Sequence, residues 1–222
     1  MATKAEAYRQ MADHATQSLT AQVRDWTKFL VAAGQIYKYG FLDQIMIHTQ
    51  CPGAKACAEF DLWSRRMGRH IRRGSKGIAL LRYRDGRPFL RYVFDIADTE
   101  RRPNGRDPVL WQYRDEYEGV VTAHLEECFK VPGNNGLAKQ LIGLAVQFAD
   151  EYWHDFKDNI MLAARDSALD GLDEDNVAFR FCNAVTVSLA FLLLARCGFD
   201  LDSYFTPEDF ECISEFDTRV TI

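Results

Sequence analysis

The dipeptide Asp85-Gly86 constrains this chain more than any other feature. Asp-Gly suits the two left-handed positions of a tight two-residue turn. It stands between Ile78-Ala79-Leu80-Leu81-Arg82-Tyr83 and Phe89-Leu90-Arg91-Tyr92-Val93-Phe94, both rich in strand formers. The spacing predicts an antiparallel hairpin. Upstream, Arg69-His70-Ile71-Arg72 reads as a further strand, and Gly74-Ser75-Lys76-Gly77 as a hairpin turn between strands. The expectation is a small antiparallel sheet whose outward positions are largely arginine.

Before the sheet the period is helical. Lys4 to about Thr16 is Ala-rich, and Leu19, Val23, Trp26, Leu30, Ala33 and Tyr37 form one apolar stripe. Phe41 to Thr49 predicts a short helix with Leu42, Ile45, Met46 and Thr49 on one side, stopped by Cys51-Pro52-Gly53. Glu59 to Arg66 predicts another. The second half reads as helices over Tyr117 to Phe129, Leu137 to about Asp158 and Asp173 to Cys197, the last closed by Gly198. In the long helix Leu141, Leu144, Ala145, Phe148 and Tyr152 fall in register.

Thr206-Pro207-Glu208-Asp209 carries a hydroxyl N-cap, proline in the first turn and acids favoured by the dipole. That helix is expected to stop by Phe216-Asp217-Thr218, which suggests a fragment of a longer protein. The fold class expected is therefore α+β, with N-terminal helices on a small antiparallel sheet and an all-helical module after it. The Pro/Gly-rich run Glu100 to Pro108 suggests the boundary, giving 1–106 and 107–222.

Charge divides the chain at the same place. Residues 1–106 carry 19 Lys and Arg against 10 Asp and Glu, net +9, and residues 107–222 carry 8 against 22, net −14. The whole excess of the first half arises from Leu62 to Arg106, where 13 basic residues face 4 acidic ones. Such asymmetry suggests a polyanion-binding region joined to something of another kind. The six cysteines are scattered, as expected of reduced thiols in a cytosolic protein. The opening MATKAEAYRQ is polar, so no signal peptide is expected. The charge-free stretch between Arg180 and Arg196 has 15 residues, fewer than the roughly 18 of a membrane span, and reads as a buried core helix.

No catalytic constellation appears: HExxH, GxxxxGK[ST], GxSxG and kinase motifs are all missing, so no enzyme is expected. His48, Cys51 and Cys57 have no matching fourth zinc ligand, and the expectation is no metal and no cofactor. The basic segment carries more. Arg65, Arg66, Arg69, Arg72, Arg73, Lys76, Arg82, Arg84, Arg87 and Arg91 are interleaved with Trp63, His70, Tyr83, Phe89 and Tyr92. Single-stranded nucleic acid needs this mixture, cations for phosphates and aromatic faces for bases. The expected phosphate contacts are Arg65, Arg66, Arg69, Arg72, Arg73, Lys76, Arg82 and Arg91. The expected stacking partners are Trp63, His70 and Tyr83; Trp63 suits a core position equally well, and Phe94 reads as core.

Tyr37-Lys38-Tyr39-Gly40-Phe41-Leu42-Asp43-Gln44-Ile45, Gln50-Cys51-Pro52-Gly53-Ala54 and Phe60-x2-Trp63 resemble the N-terminal domain of ArdC-type antirestriction proteins. So does Gly68-Arg69-x-Ile71-Arg72-Arg73-Gly74-x-Lys76-Gly77-Ile78. The same domain opens large helicase–methyltransferase proteins of bacterial conjugative elements. The resemblance covers about residues 26–96 and implies single-stranded DNA binding. It further implies a bacterial, cytoplasmic setting without membrane contact, and downstream helicase or methyltransferase domains as neighbours in a longer protein. The metalloprotease-like domain of the antirestriction proteins has no counterpart here. The acidic half suggests an alternative function, protein interaction or DNA mimicry.

Overall fold

A computed structural model describes residues 4–165 and 167–216. The chain is α+β, with 61% of its described residues helical beside a three-stranded and a two-stranded antiparallel sheet. It divides into two compact units: Met1–Thr16 with Ala32–Trp111, and Gln17–Val31 with Gln112–Ile222.

The first unit draws on three helices, α1 (Lys4–Thr20), α2 (Val23–Gln35) and α3 (Phe41–Gln50). Its strands are β1 (Cys57–Ala58), β2 (Arg69–Ile71), β3 (Ile78–Arg84), β4 (Arg87–Asp95) and β5 (Thr99–Arg101). β1, β4 and β3 lie side by side in that order, and β2 pairs with β5. Asp85 and Gly86 both take positive φ, 50° and 72°, as a two-residue hairpin turn requires. That turn fixes the register: Arg84 faces Arg87, Arg82 faces Phe89, Leu80 faces Arg91 and Ile78 faces Val93. Side chains alternate along a strand, so these eight share one face. Ala79 with Tyr92, Leu81 with Leu90, and Tyr83 with Pro88 share the other.

Helix α3 covers the inner half of the first face. Met46 and Ile47 pack with Ile78, Leu80 and Val93, joined by Ala12, Ile36 and Ala54. The buried side of α3 is Ile45, Met46 and Ile47, while Leu42 and Thr49 are exposed, a shift of the expected stripe. Polar side chains fix the arrangement. Gln44 Nε2 donates to the C-terminal carbonyls of α2, Ala33 O at 3.4 Å and Ile36 O at 3.5 Å, groups a helix end leaves unpaired. Gln50 ends α3 against the open edge of β3 and bonds both Ala79 N and Ala79 O at 2.9 Å. Asp95 accepts from the backbone N–H of Lys55, Ala56 and Ala97, which holds β1 against β4.

One turn differs from the sequence reading. Gly74-Ser75 is a turn, but it joins strands of two separate sheets instead of closing a hairpin. The Glu100–Pro108 run begins within β5, Arg102 N and Arg106 N donate to Gly68 O and Met67 O, Asp107 pairs with Arg69, and the chain passes to the second unit just after it, between Trp111 and Gln112.

The second unit centres on α4 (Glu118–Phe129), α5 (Leu137–Ala164) and α6 (Glu174–Cys197), followed by a 3-10 helix, Pro207–Glu215. Along α5 the buried positions include Leu137, Leu141, Leu144, Ala145, Ala149, Trp153 and Ile160. Tyr152 is half exposed while its neighbour Trp153 is buried, so the buried side of α5 shifts by one residue along its length. Asp173 caps α6 by accepting from Asn176 N, Gly198 closes it at φ 77°, and Thr206 with Asp209 forms a capping box. By length and composition α6 is apolar enough to cross a membrane, and Val177, Phe181, Ala184, Val187, Ala190, Phe191 and Leu194 are buried within this unit. The segment Gln17–Val31 belongs here because Trp26 is buried and its Nε1 donates to Ser188 Oγ at 3.0 Å. The expected stop at Phe216-Asp217-Thr218 runs beyond Phe216, outside the described residues.

Candidate nucleic-acid interface

The outer half of the α3-covered face carries Arg82, Arg84, Arg87 and Arg91 around Phe89. Arg84 lies over the Phe89 ring with its guanidinium carbon 5.6 Å from the centroid, and Phe89 as a residue is 39% exposed. Arg84 and Arg87 are exposed and face one another across the strands. Two like charges directly opposite are unfavourable by themselves, so an anion placed between them relieves repulsion.

The other two arginines of this face are occupied. Arg82 Nη1 and Nη2 donate to Asp43 Oδ1 and Oδ2, both at 2.7 Å, and that bond raises the guanidinium pKa further. Arg91 pairs with Glu59. The sequence reading assigns both to phosphate. Each has instead a carboxylate neighbour that the folding of α3 and β1 delivers to it, an arrangement invisible at sequence separations of 39 and 32 residues.

Two further expected contacts lie in the core. Trp63 is 2% exposed, and its Nε1 donates to Phe94 O at 2.8 Å, so its ring is unavailable for stacking. The π-helical turn Leu62–Arg66 swings it inward. Arg69 is 8% exposed, with Nε donating to Thr99 Oγ1 at 2.7 Å and a terminal nitrogen on Asp107. A buried arginine needs such partners, and they leave it no phosphate to bind. His70 is exposed but sits opposite Glu100 across β2 and β5, Nε2 to Oε2 3.3 Å. Tyr83 is the most exposed of the hairpin aromatics at 58%, yet it points to the face opposite the arginines.

Arg65 makes a one-turn pair with Asp61 at 3.4 Å, a contact of small energy at so exposed a place. Arg66, Arg72, Arg73, Lys76, Arg84 and Arg87 are all exposed. Among the described residues none of these six has a carboxylate within 4 Å. Phe89, Arg84 and Arg87 belong to the basic-aromatic segment but not to its expected contacts, although the hairpin turn contains the signal that groups them.

The residues carrying the family resemblance are largely scaffold. Gln44, Gln50 and Trp63 each end on backbone, and Tyr39 Oη donates to Cys57 O at 2.8 Å. Burial pushes the Cys57 thiol up to about 12, with Asp95 adding to the shift, and raises Tyr39 as well. Among the described residues no three His, Cys, Asp or Glu side chains gather to hold a metal ion. No family model, curated protein or solved structure matches the chain.

Proposed function

We propose that the first unit binds single-stranded DNA at the turn end of the β3–β4 hairpin, on the outer half of the face that α3 covers. The observation that carries this reading is the grouping on one face of Phe89 with Arg84 and Arg87, all exposed, the two arginines having no carboxylate within 4 Å among the described residues. Phosphates pass between the two guanidinium groups while a base stacks on Phe89, the pairing of charge and aromatic surface that single strands require. Every base offers a face to stack, so sequence preference is small. The resemblance over residues 26–96 to the front domain of antirestriction and conjugative-element proteins supports the same reading. Within it the module is a non-catalytic DNA-holding part of a mobile-element protein.

The test is fluorescence anisotropy of the full chain with labelled single-stranded and duplex 20-mers across a salt series. The proposal requires tighter binding to the single strand, with an affinity that falls as salt rises, about 0.7 in log–log slope for each phosphate neutralised. Equal or stronger binding to duplex, or no binding at low salt, contradicts it.

A further inference from the structure

We infer that the turn after β2 is a second anchor for the same strand, so that the unit bridges DNA between two cationic points at opposite ends of β3. This inference rests on the hairpin reading above and adds to it the length and path of the ligand.

The turn is rigidly made. Ser75 N donates to Arg72 O at 3.1 Å, Arg72 N to Asp98 O at 2.8 Å and Ser75 Oγ to Asp98 O at 3.4 Å. Gly74 sits at φ +91°, where a side chain is strained, so the turn keeps its shape and holds Arg72 and Arg73 out. Gly77 then presses the chain on β4, since a Cβ there would meet Tyr92 and Phe94 at 3.2 Å. Arg72, Arg73 and Lys76 are exposed and have no carboxylate within 4 Å among the described residues. Three uncompensated cations fixed on a short turn form an anion contact waiting for its partner.

Position separates this anchor from the hairpin. β3 runs from Ile78 to Arg84, six steps and about 20 Å at ~3.3 Å per residue. Between the two ends, Arg82 and Arg91 are held by Asp43 and Glu59, and α3 covers Ile78 and Leu80. Phosphate contacts are therefore concentrated at the two ends. A strand in B-form advances ~3.4 Å per nucleotide, so about six nucleotides cover the gap, and an extended strand covers it with fewer. The ligand class that follows is an internal stretch of single strand, not a mononucleotide or a dinucleotide.

The experiment measures competition by oligothymidylates of two, four, six, eight and twelve nucleotides against a labelled twelve-mer bound to the full chain. The expected result is a steep gain of affinity between about four and eight nucleotides, then a shallow rise. In the variant Arg72→Ala, Arg73→Ala, Lys76→Ala the steep gain disappears, and the salt slope for the twelve-mer is smaller by about 2. All three side chains are exposed, and circular dichroism melting checks that the variant is folded. If the variant keeps the length dependence and slope of the parent, the second anchor is refuted while the hairpin reading stands. If the parent binds no oligonucleotide at low salt, the hairpin reading falls and the bridge falls with it.

Discussion

Arg82 and Asp43 form a two-pronged ion pair, both nitrogen–oxygen distances being 2.7 Å, that ties β3 to the first turn of α3. A guanidinium forked onto a carboxylate has its best donors used, and a phosphate reaching it must displace the carboxylate. Asp43 therefore competes with DNA for Arg82. In Asp43→Asn the competitor is neutral, and single-stranded DNA should bind several-fold tighter with a salt slope steeper by about 0.7. Anisotropy across salt reads both quantities; unchanged affinity would place Arg82 off the path of the strand.

Phe89 offers the stacking surface among the arginines. Phe89→Ala should cost about 1–3 kcal/mol of binding, the worth of one stacked base, and leave the salt slope alone. Tyr83→Ala, on the other face, should change affinity little. Comparing the two by titration with one oligonucleotide decides which face carries the strand, and a larger loss at Tyr83 would reverse the assignment.

The sequence announced the helices, the hairpin and the change of charge sign because each is written locally, in period, turn residues and composition. It also contained the register. Across a two-residue turn at Asp85-Gly86, opposed residues number 84 with 87, 82 with 89 and 80 with 91, which places Phe89 among the arginines and Tyr83 away from them. Counting basic residues without that parity puts Tyr83 in the site and leaves Phe89 out. The pairing of β2 with β5 and the strand β1 were not legible, since Thr99-Glu100-Arg101 and Cys57-Ala58 are too short to show a period. Nor were the partners of Arg69, Arg82 and Arg91. An arginine destined for a carboxylate 39 residues away looks the same, in one dimension, as an arginine left free for a phosphate.

Gln50 substitutes for a missing strand. Its amide bonds both backbone groups of Ala79, which is fully buried at the outer edge of β3. Gln50→Ala leaves a buried N–H and C=O unpaired and should cost about 1–3 kcal/mol in denaturant unfolding. Gln50→Glu keeps the size but has no donor for Ala79 O, and it should be destabilised as well. A Glu variant as stable as the parent would show that the bond donated to Ala79 O contributes nothing to stability.

The cysteines differ in reactivity. Cys128 is exposed, whereas burial and Asp95 push the Cys57 thiol from near 9 up to about 12. Alkylation at pH 8 followed by peptide mass spectrometry should find Cys128 modified first and Cys57 last. The unfolded chain ionises Cys57 near pH 9 while the folded chain keeps its proton, so the unfolded state binds fewer protons as pH rises. The stability contributed by this group is complete below pH 9 and is lost between 9 and about 12. Replacing Cys57 by alanine should flatten the alkaline decline; an unchanged decline would assign it to other groups.

The central claim is that Arg84 and Arg87 hold phosphate, and the most direct measurement compares the parent chain with Arg84→Ala, Arg87→Ala for a labelled single-stranded 20-mer across salt. The account predicts weaker binding at every salt concentration and a log–log slope smaller by about 1.4, two phosphates' worth. A variant that binds the single strand with the affinity and the slope of the parent would contradict it.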